Sequence, residues 1–253
     1  MEDLKGKKIL VTGGSSGIGA AVALGFGRAG ATVAVHFNRS EADARKVIAA
    51  IEAAGGSAVA VGGDLALAGG ASAVVERAIE SLGGIDILVN NAAAMVWRVE
   101  VADADDAYLD ELISLNVLGV VRASRAVIPQ LRSQGGGTII NTSSIGAWTG
   151  GGGGSVVYAA SKGFINSFTR GLARELAGSG IRVNAVAPGL IDTPFHDGIT
   201  SRETMERLIG RVPLGRVGVA EDVVGAFLYL ASEIASGYVT GTVIEVSGGV
   251  VMH

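Results

Sequence analysis

The chain has no cysteine among its 253 residues, which excludes disulfides, thiol nucleophiles and thiolate metal sites. Its three histidines, His36, His196 and His253, stand far apart with no metal-ligand spacing, so no metal is expected. Charged residues make up only 17%, the net charge is −4, and no basic tract exists to neutralise phosphates. Nucleic acid is therefore not an expected partner. The densest basic group, Lys5, Lys7 and Lys8, reads as the flank of a first strand. No run of about 18 apolar residues suggests a membrane span. The opening MEDLKGKK is charged and lacks the apolar core of a signal peptide. A soluble, cytoplasmic chain is the expectation.

What the chain does have is apolar residues, 49% of the total, and 40 glycines. So much apolar surface suits a large core, with part of it buried in an oligomer. Short apolar runs at 8–11, 31–37, 57–61, 85–89, 138–141, 181–187 and 242–246 read as strands. Between them, 18–29, 41–54, 71–81, 105–132, 157–177 and 220–231 read as helices. The polar stretch 192–209 reads as short helices covering a site. Strands apolar throughout and alternating with helices predict an α/β fold, a parallel sheet covered on both faces. No linker or composition break appears, so residues 1–253 read as one domain. The five-glycine run at 150–154 lies inside the alternation and reads as a loop.

Between the first strand and first helix stands TGGSSGIG, residues 12–19. Glycines there let the backbone turn sharply and approach a pyrophosphate, whose charge then faces a helix N-terminus. The spacing is G-x-x-x-G-x-G rather than G-x-G-x-x-G, and its place in a βαβ unit gives it weight. About twenty residues on, where an acidic residue would bind the ribose 2′-hydroxyl of NAD, the chain carries Asn38, Arg39 and Ser40. Arg39 can hold a 2′-phosphate by charge-assisted hydrogen bonds, which favours NADP(H), with NAD(H) the alternative. Asp64, with Leu65 beside it, follows the third strand and suits the adenine side or caps the next turn. Asn90 follows the fourth strand at the same sheet edge, as a cofactor contact or a loop amide.

A second constellation lies in residues 141–162, NTSSIGAWTGGGGGSVVYAASK. Tyr158 and Lys162 stand i and i+4 on one helix face. An ammonium beside a phenol favours the phenolate and lowers a pKa of about 10. A serine over the same site can hydrogen-bond a substrate oxygen.

Together these features resemble the short-chain dehydrogenase/reductase family in its form of about 250 residues. The resemblance rests on T-G-x-x-x-G-I-G at 12–19, Asn90-Asn91-Ala92, Asn116 in LNVLG, Ser144, Tyr158-x-x-x-Lys162 and Pro188-Gly189, and it spans nearly the whole chain. It implies a three-layer, doubly wound Rossmann-like fold with a seven-stranded parallel sheet and a nicotinamide cofactor. It implies Asn116, Ser144, Tyr158 and Lys162 as the catalytic set, with Asn116 placing a proton-relaying water. The cofactor contacts it implies are Gly13, Ser15, Ser16, Gly17, Ile18, Gly19, Ala92, Tyr158, Lys162, Pro188, Gly189, Ile191 and Thr193, besides the Asn38–Ser40, Asp64, Leu65 and Asn90 positions above. Two departures stand out: N-N-A-G reads NNAA, with Ala93, and Ser144 lies fourteen residues before Tyr158, one more than is common. Ser143 is the rival for the serine role.

The substrate pocket is expected from residues 94–98, 145–156 and 191–209, with Met95, Val96, Trp97, Trp148 and Phe195 giving it an apolar cast. The 3-oxoacyl-(acyl carrier protein) reductase-like members are the nearest resemblance, and Arg122, Arg125 and Arg132 could supply a basic patch for an acidic carrier. Sugar, polyol or other secondary-alcohol oxidation is the alternative, and a cofactor-sensing regulator the reading from another class. Family habit implies a homotetramer.

Overall fold

Alternate residues of a strand point to opposite faces, so a strand apolar at every position must be covered on both sides. In β1 (Lys8–Val11), Ile9 and Val11 enter one core and Leu10 the other, all fully buried. The computed structural model describes residues 1–199 and 202–252. After β1 come α1 (Gly17–Arg28), β2 (Thr32–Phe37), α2 (Glu41–Ala53) and β3 (Ser57–Gly62). Next are α3 (Gly70–Leu82), β4 (Ile87–Asn90), α4 (Asp106–Ile113) and α5 (Val120–Ser133), then β5 (Gly137–Thr142). The rest comprises α6 (Gly146–Thr149), α7 (Val156–Leu176), β6 (Ile181–Pro188), β7 (Ile191–Asp192), α8 (Arg202–Ile209), β8 (Gly218–Val219), α9 (Ala220–Ala231), α10 (Glu233–Ser236) and β9 (Val243–Val246).

Seven strands form one parallel sheet in the order β3-β2-β1-β4-β5-β6-β9, with a separate β7-β8 pair. Helices α1 and α9 cover one face through Val22, Phe26, Val223 and Phe227. Helices α3, α5 and α7 cover the other through Val74, Val127, Leu131 and Leu172. The order reverses between β1 and β4, and a ligand crevice opens outside strand carboxyl ends at such a switch. This is the three-layer, doubly wound arrangement expected from the sequence.

Two local differences and one expectation met bear on the site. Strand β4 starts at Ile87, because the Asp86 carboxylate just before it accepts the Lys8 N–H at 2.8 Å. The expected long helix is interrupted: Ser114–Gly119 forms a π-helical turn between α4 and α5, and Asn116 sits in it. The segment Asp106–Ser133 is also long and apolar enough to cross a membrane by length and composition, with mean hydropathy 1.4. Here its α5 part buries Ala123, Val127 and Leu131 against the sheet, as a core helix does. The cover expected over 192–209 is a short 3₁₀ turn, Pro194–His196, followed by α8. Thr200 and Ser201 of that cover, and His253, lie outside the described residues.

Candidate active site

A cleft of about 1400 Å³ runs along the carboxyl ends of β1, β4, β5 and β6. A single ligand pocket measures roughly 300–1,000 Å³, so this one has room for more than one small molecule. At one end lie the glycine turn and Asn38, Arg39 and Ser40; at the other lie Ser144, Tyr158 and Phe195.

The turn before α1 is built for close approach. Gly13 and Gly17 hold φ of +61° and +51°, where a side chain is strained. A Cβ on Gly19 would run into the Gly13 carbonyl oxygen and stand 2.5 Å from Asn91 Nδ2. Asn91 staples this turn, donating its side-chain N–H groups to the carbonyls of Thr12 (3.0 Å) and Gly13 (3.2 Å). Thr12 Oγ1 in turn accepts from the N–H groups of Asn91 and Ala92. Ser16, the N-cap of α1, makes no side-chain capping bond, so the first N–H groups of the helix face the cleft uncapped. Such an end binds anions. Arg39 is exposed at the cleft rim and makes no hydrogen bond or ion pair among the described residues. Asp64 lines the cleft while its carboxylate accepts the Ala66 N–H at 2.9 Å, so it also caps its own turn. Leu65 lines the cleft beside it. The residues present fit a dinucleotide phosphate.

The other end holds the proposed chemistry. Helix α7 carries Tyr158 and Lys162 one turn apart, with the Lys162 Nζ 5.7 Å from the centre of the tyrosine ring. Lys162 is buried and donates to the Thr142 carbonyl at the end of β5, at 2.8 Å. Ser144 Oγ accepts the Gly146 N–H at 3.1 Å, and Ser144 lines the cleft with Tyr158. Ser143 is turned away: its hydroxyl is buried and donates to Asn166 Oδ1 at 2.6 Å. The Phe195 ring packs 5.6 Å from the Tyr158 ring. Thr142 Oγ1 is buried at this end with no hydrogen-bond partner among the described residues. Gly189, Ile191 and Thr193 line the cleft after β6, and Pro188 closes that strand.

One expectation is corrected. The ammonium was expected to pull the phenol below its ordinary value, yet burial pushes Tyr158 up to about 12, with Ser144 opposing it. Burial also lowers Lys162 to about 8. In both cases burial disfavours the charged form, the phenolate of Tyr158 and the ammonium of Lys162.

Two predicted site residues lie outside the cleft. The Asn90 carboxamide is buried, donating to Ser124 Oγ (3.1 Å) and Asn141 Oδ1 (2.9 Å) beneath the cleft floor. Asn116 is fully buried, and its carboxamide pairs with the Ala94 main chain, accepting the N–H at 2.9 Å and donating to the carbonyl at 2.8 Å. One of the two lone pairs of the carboxamide oxygen is thus taken by the Ala94 N–H. Trp148 is not among the residues lining the cleft, and Trp97 lies at 45% exposure against Tyr108, ring centres 5.2 Å apart.

The glycine run at 150–154 is a loop, as expected, and is tied by hydrogen bonds: Arg98 donates to the carbonyls of Gly152 and Gly153, Val99 N–H to Gly154 O, and Ser155 Oγ to Gly152 O. Thr12 and Asn91 shape the cleft without having been assigned a role from sequence, although Asn91 had a signal, its place beside Asn90 in the motif. Arg98 lines the cleft as expected of the 94–98 segment, but its tie to the glycine run had no signal, since it spans more than fifty residues of chain.

Residues 13–251 match the model of a family described as enoyl-(acyl carrier protein) reductase. The 3β-hydroxysteroid dehydrogenase 1 of Eggerthella lenta is 42% identical, covering 100% of this chain and 96% of its own. A 3-oxoacyl-(acyl-carrier-protein) reductase of a Synechocystis species is 36% identical, with 100% of both chains covered. A short-chain dehydrogenase of Burkholderia cenocepacia, crystallised with NADP, is 36% identical and superposes with a TM-score of 0.89, covering 98% of this chain and 99% of its own. A glycine cradle, a serine–tyrosine–lysine corner and full-length likeness lead to one conclusion: the chain belongs to the short-chain dehydrogenase/reductase family and is an oxidoreductase acting on CH–OH or C=O groups.

Proposed function

We propose that the protein is an NADP(H)-dependent dehydrogenase/reductase that moves a hydride between the nicotinamide and a carbonyl or secondary alcohol, with Tyr158 as acid and base. The observation that carries this reading is the placement of Ser144, Tyr158 and Lys162 at one end of a cleft whose other end offers uncapped helix N–H groups. The cofactor supplies or accepts the hydride. Tyr158 gives its proton to the carbonyl oxygen in reduction and, as phenolate, takes it from the alcohol in oxidation. The acceptor side of Ser144 Oγ is used by the Gly146 N–H, which leaves its O–H to donate to the developing alkoxide. Lys162, fixed on the Thr142 carbonyl and lining the cleft, would set the potential at the tyrosine and would hold a ribose hydroxyl of the cofactor. Asn116 acts through Ala94, whose main chain it holds at the cleft wall.

The Arg39 guanidinium favours NADP(H). Arg39→Leu is expected to raise the KM for NADPH about 10- to 100-fold, the worth of one or two charge-assisted hydrogen bonds, and to leave NADH kinetics unchanged. Steady-state kinetics with both cofactors check it. Better use of NADH than NADPH by the unaltered enzyme would remove Arg39 from this role.

For the substrate, 3-oxoacyl groups on an acyl carrier protein and free sugars, polyols or other secondary alcohols are the classes to separate. Of the three arginines of the expected basic patch, Arg122 donates to the carbonyls of Ala66 and Leu67 and Arg132 to Ser179 Oγ, all neutral acceptors, and Arg125 and Arg132 are exposed. Turnover with a panel of ketones, alcohols and 3-oxoacyl thioesters, each with both cofactors, tests the reading. Tight cofactor binding with no turnover of any of them would favour a redox-sensing regulator. We further propose a cytoplasmic homotetramer, to be checked by sedimentation at micromolar concentration.

A further inference from the structure

His36 is the last residue but one of β2, beside the glycine turn and buried to 2% exposure, and the hydride-transfer scheme does not use it. Its Nδ1 accepts the Gly13 N–H at 3.0 Å. An N–H can only donate, so Nδ1 carries no proton, and the ring proton sits on Nε2. From there it is donated to the Gly63 carbonyl at 2.9 Å, just after β3. The His36 main-chain carbonyl accepts the next N–H of the turn, that of Gly14, at 2.8 Å. One residue thus holds two successive N–H groups of the phosphate-binding turn and, by its far nitrogen, the loop that leads into Asp64.

We propose that His36 is a positioning residue for the dinucleotide: as a neutral imidazole it clamps the phosphate-binding turn to the adenosine-side loop, and protonation releases the clamp. This rests on the reading of the cleft as a nicotinamide dinucleotide site. A proton on Nδ1 turns an acceptor into a donor facing the Gly13 N–H. The turn then loses a bond at the point where Gly13 and Gly19 approach most closely. Among the described residues, the charged groups acting on the imidazole are Arg77 of α3, which opposes its protonation, and Asp64, which favours it. Burial is the largest influence and holds His36 below its ordinary value of 6.5. The sign follows. The clamped form is the deprotonated one, so cofactor affinity is complete above the imidazole pKa and is lost as pH falls through it.

The test is cofactor binding by calorimetry between about pH 8 and pH 5 for the unaltered protein, His36→Asn and His36→Leu. Asparagine places an acceptor near Nδ1 that does not titrate; leucine offers none. We expect the unaltered protein to lose at least about tenfold more affinity on acidification than His36→Asn. Ionisation of the cofactor itself is common to both and cancels. His36→Leu should bind about tenfold more weakly at every pH. Superimposable pH profiles for the unaltered protein and His36→Asn, or wild-type affinity in His36→Leu, would overturn the proposal. A second measurement needs no variant. By linkage, saturating cofactor should lower the His36 titration midpoint, followed by imidazole NMR, by about one pH unit for a tenfold coupling. An unmoved midpoint would also count against the clamp. Failure of the unaltered protein to bind either dinucleotide at any pH would instead defeat the cofactor reading on which the clamp rests.

Discussion

Tyr158→Phe is expected to lower turnover about a thousandfold in both directions while leaving cofactor affinity within about twofold. General acid–base catalysis by a positioned side chain contributes about 10²- to 10⁴-fold, and the substitution removes only the oxygen that carries the proton. The ring itself, packed on Phe195, is kept, so the wall of the cleft stays. Rapid kinetics and calorimetry on the variant check both halves. Turnover within a few-fold of the unaltered enzyme would end the scheme. The pH dependence has a definite sign. With the phenol pushed up to about 12, its protonated form is complete across neutral pH. Reduction should therefore lose nothing to tyrosine ionisation between about pH 6 and pH 8. Oxidation needs the phenolate and should climb with pH over the same range. Lys162, lowered to about 8, begins to lose its ammonium in that window, which limits how far the climb extends.

Gly19→Ala should weaken dinucleotide binding about a hundredfold and leave the fold intact. The added methyl would meet the Gly13 carbonyl oxygen, the Gly13 carbonyl carbon at 2.8 Å and the Asn91 amide at 2.5 Å. Two of these are backbone atoms, and the third, a side-chain end, is held by its bonds to the Thr12 and Gly13 carbonyls. The Gly13 carbonyl can retreat only by breaking its bond from Asn91 and moving the N–H that His36 accepts. Overpacking of this kind costs about 1–3 kcal/mol, and here it falls on the cradle that faces the phosphates. Gly225→Ala is the control. Gly225 lies inside α9 with nothing within 4 Å of an added Cβ, so alanine there should stabilise by up to about 1 kcal/mol through helix propensity. Calorimetric binding and thermal melts of the two variants should separate cleanly; equal binding by Gly19→Ala and the parent protein would refute the cradle geometry.

Much of this architecture is legible in the chain. Apolar strands alternating with helices predict a parallel sheet covered on both faces, and Ile9, Leu10 and Val11 divide between the two cores as that demands. The glycine turn is legible because close approach needs residues without side chains. The i, i+4 spacing of Tyr158 and Lys162 is legible because a helix puts such pairs on one face. Asn90 and Asn116 show the limit of motif reading. Both are asparagines at positions a family motif marks, but whether an amide faces a ligand or the core depends on what packs beside it. Ser124 and Asn141 take one, and the Ala94 main chain takes the other. The serine choice had the same form, and it turns on Asn166, which engages the Ser143 hydroxyl.

The fold class, the place of the glycine turn and the pairing of Tyr158 with Lys162 can be read from the chain alone, because each follows from local geometry: strand alternation, glycine at a tight turn, helix periodicity. Only the tertiary structure decided which way each polar group points and how it is charged. Burial raises the Tyr158 pKa against the opposing effect of Ser144, and a histidine near the end of one strand becomes the acceptor for a turn twenty-three residues earlier. Those outcomes depend on water excluded and partners gained across the chain, and neither quantity is a property of neighbouring residues in sequence.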